Sequence, residues 1–370
     1  MASGIITRQP FKALYVLYAS LFTGIRIPFW IIYYIPSFLR QHREWTYRQA
    51  LFVRIVREFV LITSRAENGT ATPLRGKESK GWVVVQPAKS DVYTGVVIQD
   101  KQTKPEPVGG TWYPKTLEKY TGGDVVLHTH GGAFVVGDGR QRDSGYTAKT
   151  ILKNTKASHA FFPQYRLSSN GSRFPAALQD VITSYYYLTE TLAIPAEKIT
   201  ISGDSAGANL TLSLLRYIAD NPEAGLPNPG CAWLWSIWAD PGRALITDPP
   251  FFAGNQHTDY LSDAFGTWGA RTYQPRPETG ITMAHPNICF LNTAFATPTP
   301  IFFSVGECEA LADVITKSYE GMKAVPSNKV ELNIQNNAAH DIVLVGDILG
   351  FEKQADVSMK AANKFLEHCK

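Results

Sequence analysis

A serine, a histidine and a group of carboxylates occupy positions from which they could build one nucleophilic centre. Ser205 lies in the pattern G-D-S-A-G at residues 203–207, directly after a short apolar run. This G-x-S-x-G pattern is typical of a sharp strand-to-helix turn that lifts a serine hydroxyl above a sheet edge. Because a serine hydroxyl is a weak nucleophile at its ordinary pKa, it needs a neighbouring base and a third group that orients that base.

The best candidate for the base is His340, in the segment N-N-A-A-H-D at residues 336–341. Its position after the last predicted strand selects it among the eight histidines. The orienting acid should follow the predicted strand 300–305, where the loop G-E-C-E-A-L-A-D contains Glu307, Glu309 and Asp313. Spacing alone does not choose among these three carboxylates. The chain order of serine, acid and histidine is the one found in α/β hydrolases.

A second motif, H-G-G-A at residues 130–133, predicts the site that would hold a negatively charged oxygen. The amides of Gly131 and Gly132, together with the amide of Ala206, are expected to form an oxyanion hole. Donors of this kind stabilise the tetrahedral intermediate of acyl transfer. His130 is expected to brace the loop through a hydrogen bond.

The apolar periodicity of the chain predicts strands alternating with helices, with the motifs at the strand ends. Such alternation indicates an α/β fold with a mostly parallel, doubly wound sheet and its site at the carboxyl ends of the strands. The predicted strands cover residues 82–85, 93–98, 124–128, 159–162, 198–201, 233–238, 300–305 and 330–334, and the predicted helices cover 147–155, 176–192, 206–219, 310–323 and 357–368.

The N-terminal segment contains two apolar runs, 13–25 and 27–39, separated by Arg26. Each run is shorter than the roughly 20 residues that span a bilayer as a helix. The following stretch 40–65 is basic and amphipathic. Three interpretations remain open: a helical cap over a catalytic pocket, an interfacial membrane helix, or a spanning anchor. The first two are compatible with each other, so residues 11–60 are a candidate for peripheral membrane contact.

Composition narrows the classes of function. The chain has 370 residues, is 44% hydrophobic and carries a net charge of +4, which is too small to indicate a nucleic-acid partner. Its four cysteines have neither metal nor redox spacing, which suits a reducing compartment such as the cytoplasm. No metal or nucleotide motif occurs, so we expect no cofactor. The oligomeric state cannot be derived from these features.

Several motifs in a fixed order resemble the hormone-sensitive-lipase-like family of α/β hydrolases. They are H-G-G-A-F, Y-R-L, F-P-A-A-L-Q-D, G-D-S-A-G, W-A-D and G-E-C-E-A-L-A-D. The resemblance covers roughly residue 111 to the C-terminus. The resemblance implies the α/β-hydrolase fold. It also implies that Glu309 is the triad acid, because the first aspartate of the family's G-E-x-D-x-L-x-D loop falls at that position. Asp313 matches the second aspartate and is the fallback acid.

The same resemblance implies a cap built from residues 1–80 and 241–297, over a catalytic domain formed by 81–240 and 298–370. The N-terminal segment resembles that of filamentous-fungal members. We expect a serine carboxylesterase acting on short- to medium-chain or secondary-metabolite esters. A lactonase, an amidase, an acyltransferase and a non-catalytic ligand-binding relative remain alternatives. Candidate pocket residues in the cap are Phe251, Phe252, Tyr260, Leu261, Phe265, Trp268 and Tyr273.

Overall fold

The computed structural model describes residues 4–74, 81–246 and 254–370. The protein is built around one sheet. Within these ranges the sheet has eight strands in the order β1-β2-β4-β3-β5-β6-β7-β8. Strands β1 and β4 each pair antiparallel with β2, and the other neighbours are parallel. The strands are β1 (Trp82–Val85), β2 (Val108–Tyr113), β3 (Asp124–Thr129), β4 (Ala157–Gln164), β5 (Ile199–Asp204), β6 (Cys231–Trp235), β7 (Ile301–Gly306) and β8 (Val330–Gln335).

Helices cover both faces of the sheet and two more precede it. They are α1 (Phe11–Tyr33), α2 (Tyr47–Arg65), α3 (Gln141–Asn154), α4 (Ala176–Tyr186), α5 (Ala206–Asp220), α6 (Asp263–Tyr273), α7 (Ala312–Lys323), α8 (Ile342–Leu349) and α9 (Glu352–Cys369). The central strands β5, β6 and β7 are buried along their whole length, as expected for parallel strands covered on both faces. The predicted doubly wound α/β sheet is confirmed.

Two features near the start of the sheet differ from the predictions. Residues 93–98 contain no strand: Gly95–Ile98 form a 3₁₀ turn, and a second such turn, Ser90–Val92, precedes them. The strand β2 was not predicted, because its Gly109 and Gly110 lower the strand propensity. The structure explains these glycines, since a Cβ atom at either position would collide with an aromatic ring of a neighbouring strand.

The first N-terminal run and the start of the second form one continuous helix, α1, which ends at Tyr33, and a 3₁₀ turn at Ser37–Leu39 follows. Pro28 lies inside α1 and removes one backbone hydrogen bond without ending the helix. Helix α2 begins with a capping box at Thr46 and Gln49. Helix α1 contacts α2, and α2 in turn contacts α6 and α8 of the body. The two N-terminal helices therefore form a layer attached to the body through α2.

The apolar character of α1 lies mostly on its exterior. Glu58 of α2 pairs with Arg26 of α1 at 3.6 Å and with Arg54 at 2.7 Å, and the ring of Trp30 is buried beside them. The other faces of α1 are exposed at Phe11, Leu14, Leu17, Tyr18, Leu21, Phe22, Ile25, Phe29, Ile31, Ile32 and Tyr33. By length and composition, α1 could cross a membrane. Of its two charged residues, Lys12 lies in the first turn, and Arg26, near the middle, faces α2.

Candidate active site

Ser205 occupies a strained turn between β5 and α5. Its backbone has φ +50° and ψ −115°, a conformation that non-glycine residues rarely adopt. The two flanking glycines are required, because a Cβ at Gly203 would collide with the carbonyl of Gly207, and one at Gly207 with the carbonyl of Thr129. The amino end of α5 directly follows the serine, so its positive dipole end lies where negative charge would develop. The predicted strand–turn–helix arrangement is confirmed.

His340 and Glu309 form a buried pair in the loops after β8 and β7, respectively. Nδ1 of His340 lies 2.6 Å from Oε2 of Glu309, and the amide of Gly306 donates to Oε1 at 2.7 Å. Glu309 is fully buried, whereas the fallback acid Asp313 is exposed on α7. Glu307 is also exposed and accepts from the amide of Asn337. The structure therefore places Glu309, and neither of the other two carboxylates, against the histidine.

The environment of His340 favours the protonated ring. Burial on its own lowers the pKa of His340, but the hydrogen bond and the charge of Glu309 more than offset burial. The carboxylates of Asp259 and Asp204 also raise the pKa of His340, which therefore lies above its ordinary value of 6.5. The imidazolium formed when this ring accepts a proton would therefore be stabilised.

The serine and histidine loops are connected through the segment that follows β6. The amide of Trp238 donates to the carbonyl of Ser205 at 3.0 Å, and the amide of Asp341 donates to Oγ of Ser236 at 3.0 Å. Among the described residues, no hydrogen bond joins Oγ of Ser205 to the imidazole of His340. Catalytic hydrogen bonds are often long without substrate and shorten in the Michaelis complex. Both loops are therefore held by the segment after β6, without a nucleophile–base bond in the part of the chain that the structure describes.

The H-G-G-A loop has an unusual backbone that corrects the predicted oxyanion hole. Gly132, Ala133 and Phe134 all have positive φ, at +100°, +52° and +63°. The amide of Gly131 donates to Oδ2 of Asp204 at 2.7 Å, so this donor is committed to a carboxylate and is not free for an oxyanion. By contrast, the amides of Gly132, Ala133 and Ala206 have no hydrogen-bond acceptor among the described residues.

His130 makes contacts within and behind its own loop. Its Nδ1 lies 2.8 Å from the carbonyl oxygen of Gly131, and its ring stacks on Tyr165 with centroids 4.3 Å apart. The hydroxyl of Tyr165 donates to the carbonyl of His130 at 2.8 Å. Burial lowers the pKa of His130, so the ring is held neutral. Tyr165, the tyrosine of the Y-R-L motif, thus supports the H-G-G-A loop at residues 130–133, called the oxyanion loop below.

A small apolar pocket opens beside Ser205. It has a cavity volume of about 10 Å³ and is lined by Ala133, Ser205, Trp238, Leu261, Phe265, Gly266 and Leu311. Of the predicted cap residues, Leu261 and Phe265 line this pocket and Tyr260 packs edge-on against His340. Trp268 and Tyr273 are buried, and Tyr273 stacks on Phe134. Phe251 and Phe252 lie outside the described residues.

The loop before α6 is hydrogen-bonded to the loop that carries Glu309. The sequence analysis did not predict this contact. Asp259 is fully buried and accepts from the amide of Ala310 at 2.6 Å, while Thr258 donates to the carbonyl of Cys308 at 2.9 Å. Burial raises the pKa of Asp259 to about 6. Arg57 of α2 donates to the carbonyls of Gln256, Asp259 and Leu261. The N-terminal layer therefore supports the loop that carries Tyr260.

Positive φ angles at non-glycine residues concentrate around this site. Ala133, Phe134, Ser205, Ser236 and Asp341 all adopt them, and each belongs to one of the loops described above. Within the described ranges, no group of three or more His, Cys, Asp or Glu side chains is arranged to hold a metal ion. The residues that converge are instead those of an acyl-transfer centre: a hydroxyl, an imidazole with its carboxylate, and free backbone amides.

Comparison with known families agrees with the fold described above. A family model described as alpha/beta hydrolase fold matches residues 126–344, a range that includes the oxyanion loop, Ser205, Glu309 and His340. An acetyl-hydrolase of Streptomyces hygroscopicus is 28% identical over 191 residues, covering 52% of this chain and 59% of that protein. An arylesterase of Saccharolobus solfataricus is 30% identical over 106 residues, covering 28% of this chain and 33% of that protein. The matched regions thus span about three fifths and one third of these relatives.

Solved structures with the same fold include several esterases. An esterase/lipase from an uncultured bacterium has a TM-score of 0.59 at 23% identity, covering 87% of this chain and 98% of that one. An esterase of Pyrobaculum calidifontis has a TM-score of 0.59 at 18% identity, covering 84% and 91%. At these identities the similarity is one of fold, and it extends across most of both chains.

Proposed function

This chain belongs to the alpha/beta hydrolase family, and from that membership together with the geometry at Ser205 we propose that it is a serine carboxylesterase. The observation that carries the proposal is the buried Glu309–His340 pair, 2.6 Å apart, in the loops next to a serine held at φ +50°. An imidazole that is oriented by a carboxylate beside a strained serine is the arrangement needed for nucleophilic acyl transfer.

The proposed reaction follows from these positions. His340 accepts the proton of the Ser205 hydroxyl as its oxygen attacks the ester carbonyl carbon. The negative charge of the tetrahedral intermediate is stabilised by the amides of Gly132, Ala133 and Ala206. His340 then returns the proton to the departing alcohol, which leaves an acyl-enzyme. Water attacks this acyl-enzyme with His340 again as the base, and the carboxylic acid is released.

The pocket beside Ser205 favours esters with a short acyl group. Its volume of about 10 Å³ lies far below the usual 300–1,000 Å³ of small-molecule sites. Phe265, Trp238 and Leu311 make its wall apolar. The names of the acetyl-hydrolase and arylesterase relatives agree with a small ester. We therefore expect acetyl to butyryl esters to be turned over faster than long-chain ones.

The test uses a fluorophosphonate probe, which labels activated serines covalently. We expect the native protein to be labelled at Ser205 and the Ser205→Ala variant to be unlabelled. Ser327→Ala removes an exposed serine far along the chain and serves as the matched control. Turnover of p-nitrophenyl esters of increasing acyl length then measures the preference. Absence of labelling of the native protein would overturn the esterase proposal in favour of a non-catalytic ligand-binding protein.

The same triad could act on lactones or amides, or transfer the acyl group to another alcohol, because all of these pass through one tetrahedral intermediate. Release of free acid from a simple ester, measured by titration, distinguishes hydrolysis from transfer.

We also propose that residues 1–80 and 241–297 form the cap, with the catalytic domain from 81–240 and 298–370. Residues 1–3, 75–80 and 247–253 of these ranges lie outside the described parts.

We further propose that α1 lies in the surface of a membrane on the side of a reducing compartment. The exposed apolar side chains of α1 need a cover that the described chain does not supply. Because Arg26 pairs with Glu58 of α2, and α2 is attached to the body, the charge in the middle of α1 faces the protein. This geometry favours an interfacial helix over a spanning one.

A further inference from the structure

A buried line of hydrogen bonds runs beneath the proposed active site. The indole Nε1 of Trp235 donates to Oγ of Ser202 at 3.0 Å, and this Oγ lies 2.9 Å from Nδ1 of His128. Nε2 of His128 lies 2.8 Å from Oδ1 of Asp204, the residue directly before the nucleophile. All four side chains are buried from solvent.

The donors along this line determine its protonation. An indole nitrogen can only donate, so Ser202 accepts from Trp235. An ionised carboxylate can only accept, so Nε2 of His128 donates to Oδ1 of Asp204.

Asp204 is the ionised acceptor at the end of the line. Its Oδ1 accepts from His128 and its Oδ2 from the amide of Gly131 at 2.7 Å. Burial on its own raises the pKa of Asp204, but hydrogen bonds from His128 and Asp341 more than offset burial and lower it. Asp204 therefore links the turn that carries the serine to the oxyanion loop.

Asp341, the residue after the proposed base, places a second carboxyl group against Asp204. It is 2% exposed, its carboxyl group hydrogen-bonds that of Asp204, and its Oδ1 has no other partner among the described residues. A hydrogen bond between two carboxyl groups requires a proton, and two buried carboxylates in contact cannot both be ionised. The other ionisable groups near Asp341 are Glu309, Tyr260 and the adjacent His340.

We propose that Asp341 holds a proton at neutral pH and donates it to Asp204, and that this carboxyl pair positions the histidine loop against the serine turn and the oxyanion loop. Asp341 acts on the reaction through Asp204 and His340 and does not touch the substrate. The positioning role rests on the proposed esterase function, whereas the shared proton does not. Burial and the charge of Asp204 raise the pKa of Asp341, in agreement with the hydrogen bond.

The first experiment tests the proton without using activity. A carboxyl group whose pKa is raised on folding binds a proton in the folded state that the unfolded state has released. Native stability therefore falls as pH rises from about 4, the unfolded value, toward the folded pKa. Asp341→Asn removes this dependence. Between about pH 5 and pH 7, we expect the unfolding constant of the native protein, divided by that of the variant, to rise about tenfold per pH unit.

Urea unfolding at a series of pH values measures this ratio. A ratio that stays flat between about pH 5 and pH 7 would overturn the shared proton. An infrared difference spectrum between native protein and Asp341→Asn gives a second readout, because a protonated carboxyl has a carbonyl stretch that a carboxylate lacks. We expect this band in the native protein, and its absence would contradict the proposal.

The second experiment tests positioning. Asparagine at 341 keeps a donor for Asp204, so Asp341→Asn should retain kcat to within about threefold, while Asp341→Ala should lower kcat at least tenfold with little change in KM. Asp347→Ala removes an exposed carboxylate from the same helix and is the matched control. Equal kcat in the alanine variant and native protein would refute positioning, as would equal losses in both position-341 variants. A native protein without esterase activity would refute the proposed function, while the unfolding ratio would still test the proton.

Discussion

The strand-end loops and the N-terminal helix pair use polar and apolar groups in opposite ways. Around Ser205, ionisable groups such as Glu309, Asp204 and Asp259 are fully buried and held by hydrogen bonds. On α1, by contrast, large apolar side chains point outward, with Ile25 77% exposed. Buried polar groups are costly unless they are satisfied, and exposed apolar faces mark surfaces that meet something else. The first region is therefore adapted to chemistry and the second to a contact.

The largest effect is expected at the proposed base. His340→Ala should lower kcat/KM by about 10⁶-fold, because a triad works as a unit. Turnover of a short-chain ester measures the loss. His257→Ala, an exposed histidine in the loop before α6, is the control and should retain native turnover. Similar rates for the two variants would mean that the buried histidine has no role in the chemistry.

The next effect concerns the acid. Glu309→Gln should lower kcat by about 10⁴-fold, because the histidine loses the group that orients it and stabilises its charged form. Since Glu309 raises the pKa of His340, and only neutral His340 can accept a proton, native activity should rise with pH through a value above 6.5. In the variant this rise should move to lower pH. Asp313→Asn tests the fallback acid, and a loss there equal to that in Glu309→Gln would contradict the assignment.

The third prediction tests the contact surface of α1. Leu14, Leu21 and Ile25 are 58–77% exposed, so replacing all three with glutamate should leave stability nearly unchanged. Binding to lipid vesicles should fall by about 10³-fold, at roughly 1.4 kcal/mol for each buried side chain lost. Cosedimentation with vesicles measures this.

The matched control for α1 replaces Ile334, Ile348 and Val357 with glutamate, since these are also exposed but lie on β8, α8 and α9. It should sediment like the native protein. If neither the native chain nor the control binds vesicles, the membrane proposal fails. If both triple variants lose binding equally, the contact is not specific to α1.

The smallest effect compares buried with exposed hydrogen bonds. Asn209, on α5 behind the nucleophile, is fully buried and donates to the carbonyls of Trp238 and Ile288. Asn209→Ala should destabilise by about 2 kcal/mol, or roughly 30-fold in the unfolding constant, because buried acceptors lose their donor. Asn170 makes two similar bonds at the surface, and Asn170→Ala should cost less than about 0.5 kcal/mol. Urea unfolding of both variants measures the difference, and equal losses would contradict it.

The sequence was most informative where chemistry demands particular residue types at particular spacings. The turn around Ser205 and the loop of His340 were predicted, because a sharp turn requires glycines on both sides of the serine and the base must follow the last strand to reach it. Glu309 needed the family pattern, since three carboxylates shared its loop. Its selection follows from burial: Glu309 is fully buried and Asp313 is exposed.

What the sequence did not predict depends on contacts between distant segments. The amide of Gly131 faces Asp204 because β3 and β5 are neighbours in the sheet. No local sequence pattern predicts this pairing of strands. Strand β2 contains glycines because the rings on adjacent strands leave no room for a side chain. The continuity of α1 across Arg26 requires a partner for that charge, and the partner, Glu58, is more than thirty residues away in α2. The resemblance of the N-terminal segment to fungal relatives stays a prediction.

The left-handed residues around the site have a consequence for heat resistance. Ala133, Phe134, Ser205, Ser236 and Asp341 each hold a backbone conformation that costs on the order of 1 kcal/mol or more. Together the cost is about 5 kcal/mol, comparable with the whole net stability of an ordinary domain. Packing in the rest of the core must offset this conformational free energy. On warming, the loops that carry the reaction should therefore loosen before the sheet melts, so inactivation would precede unfolding.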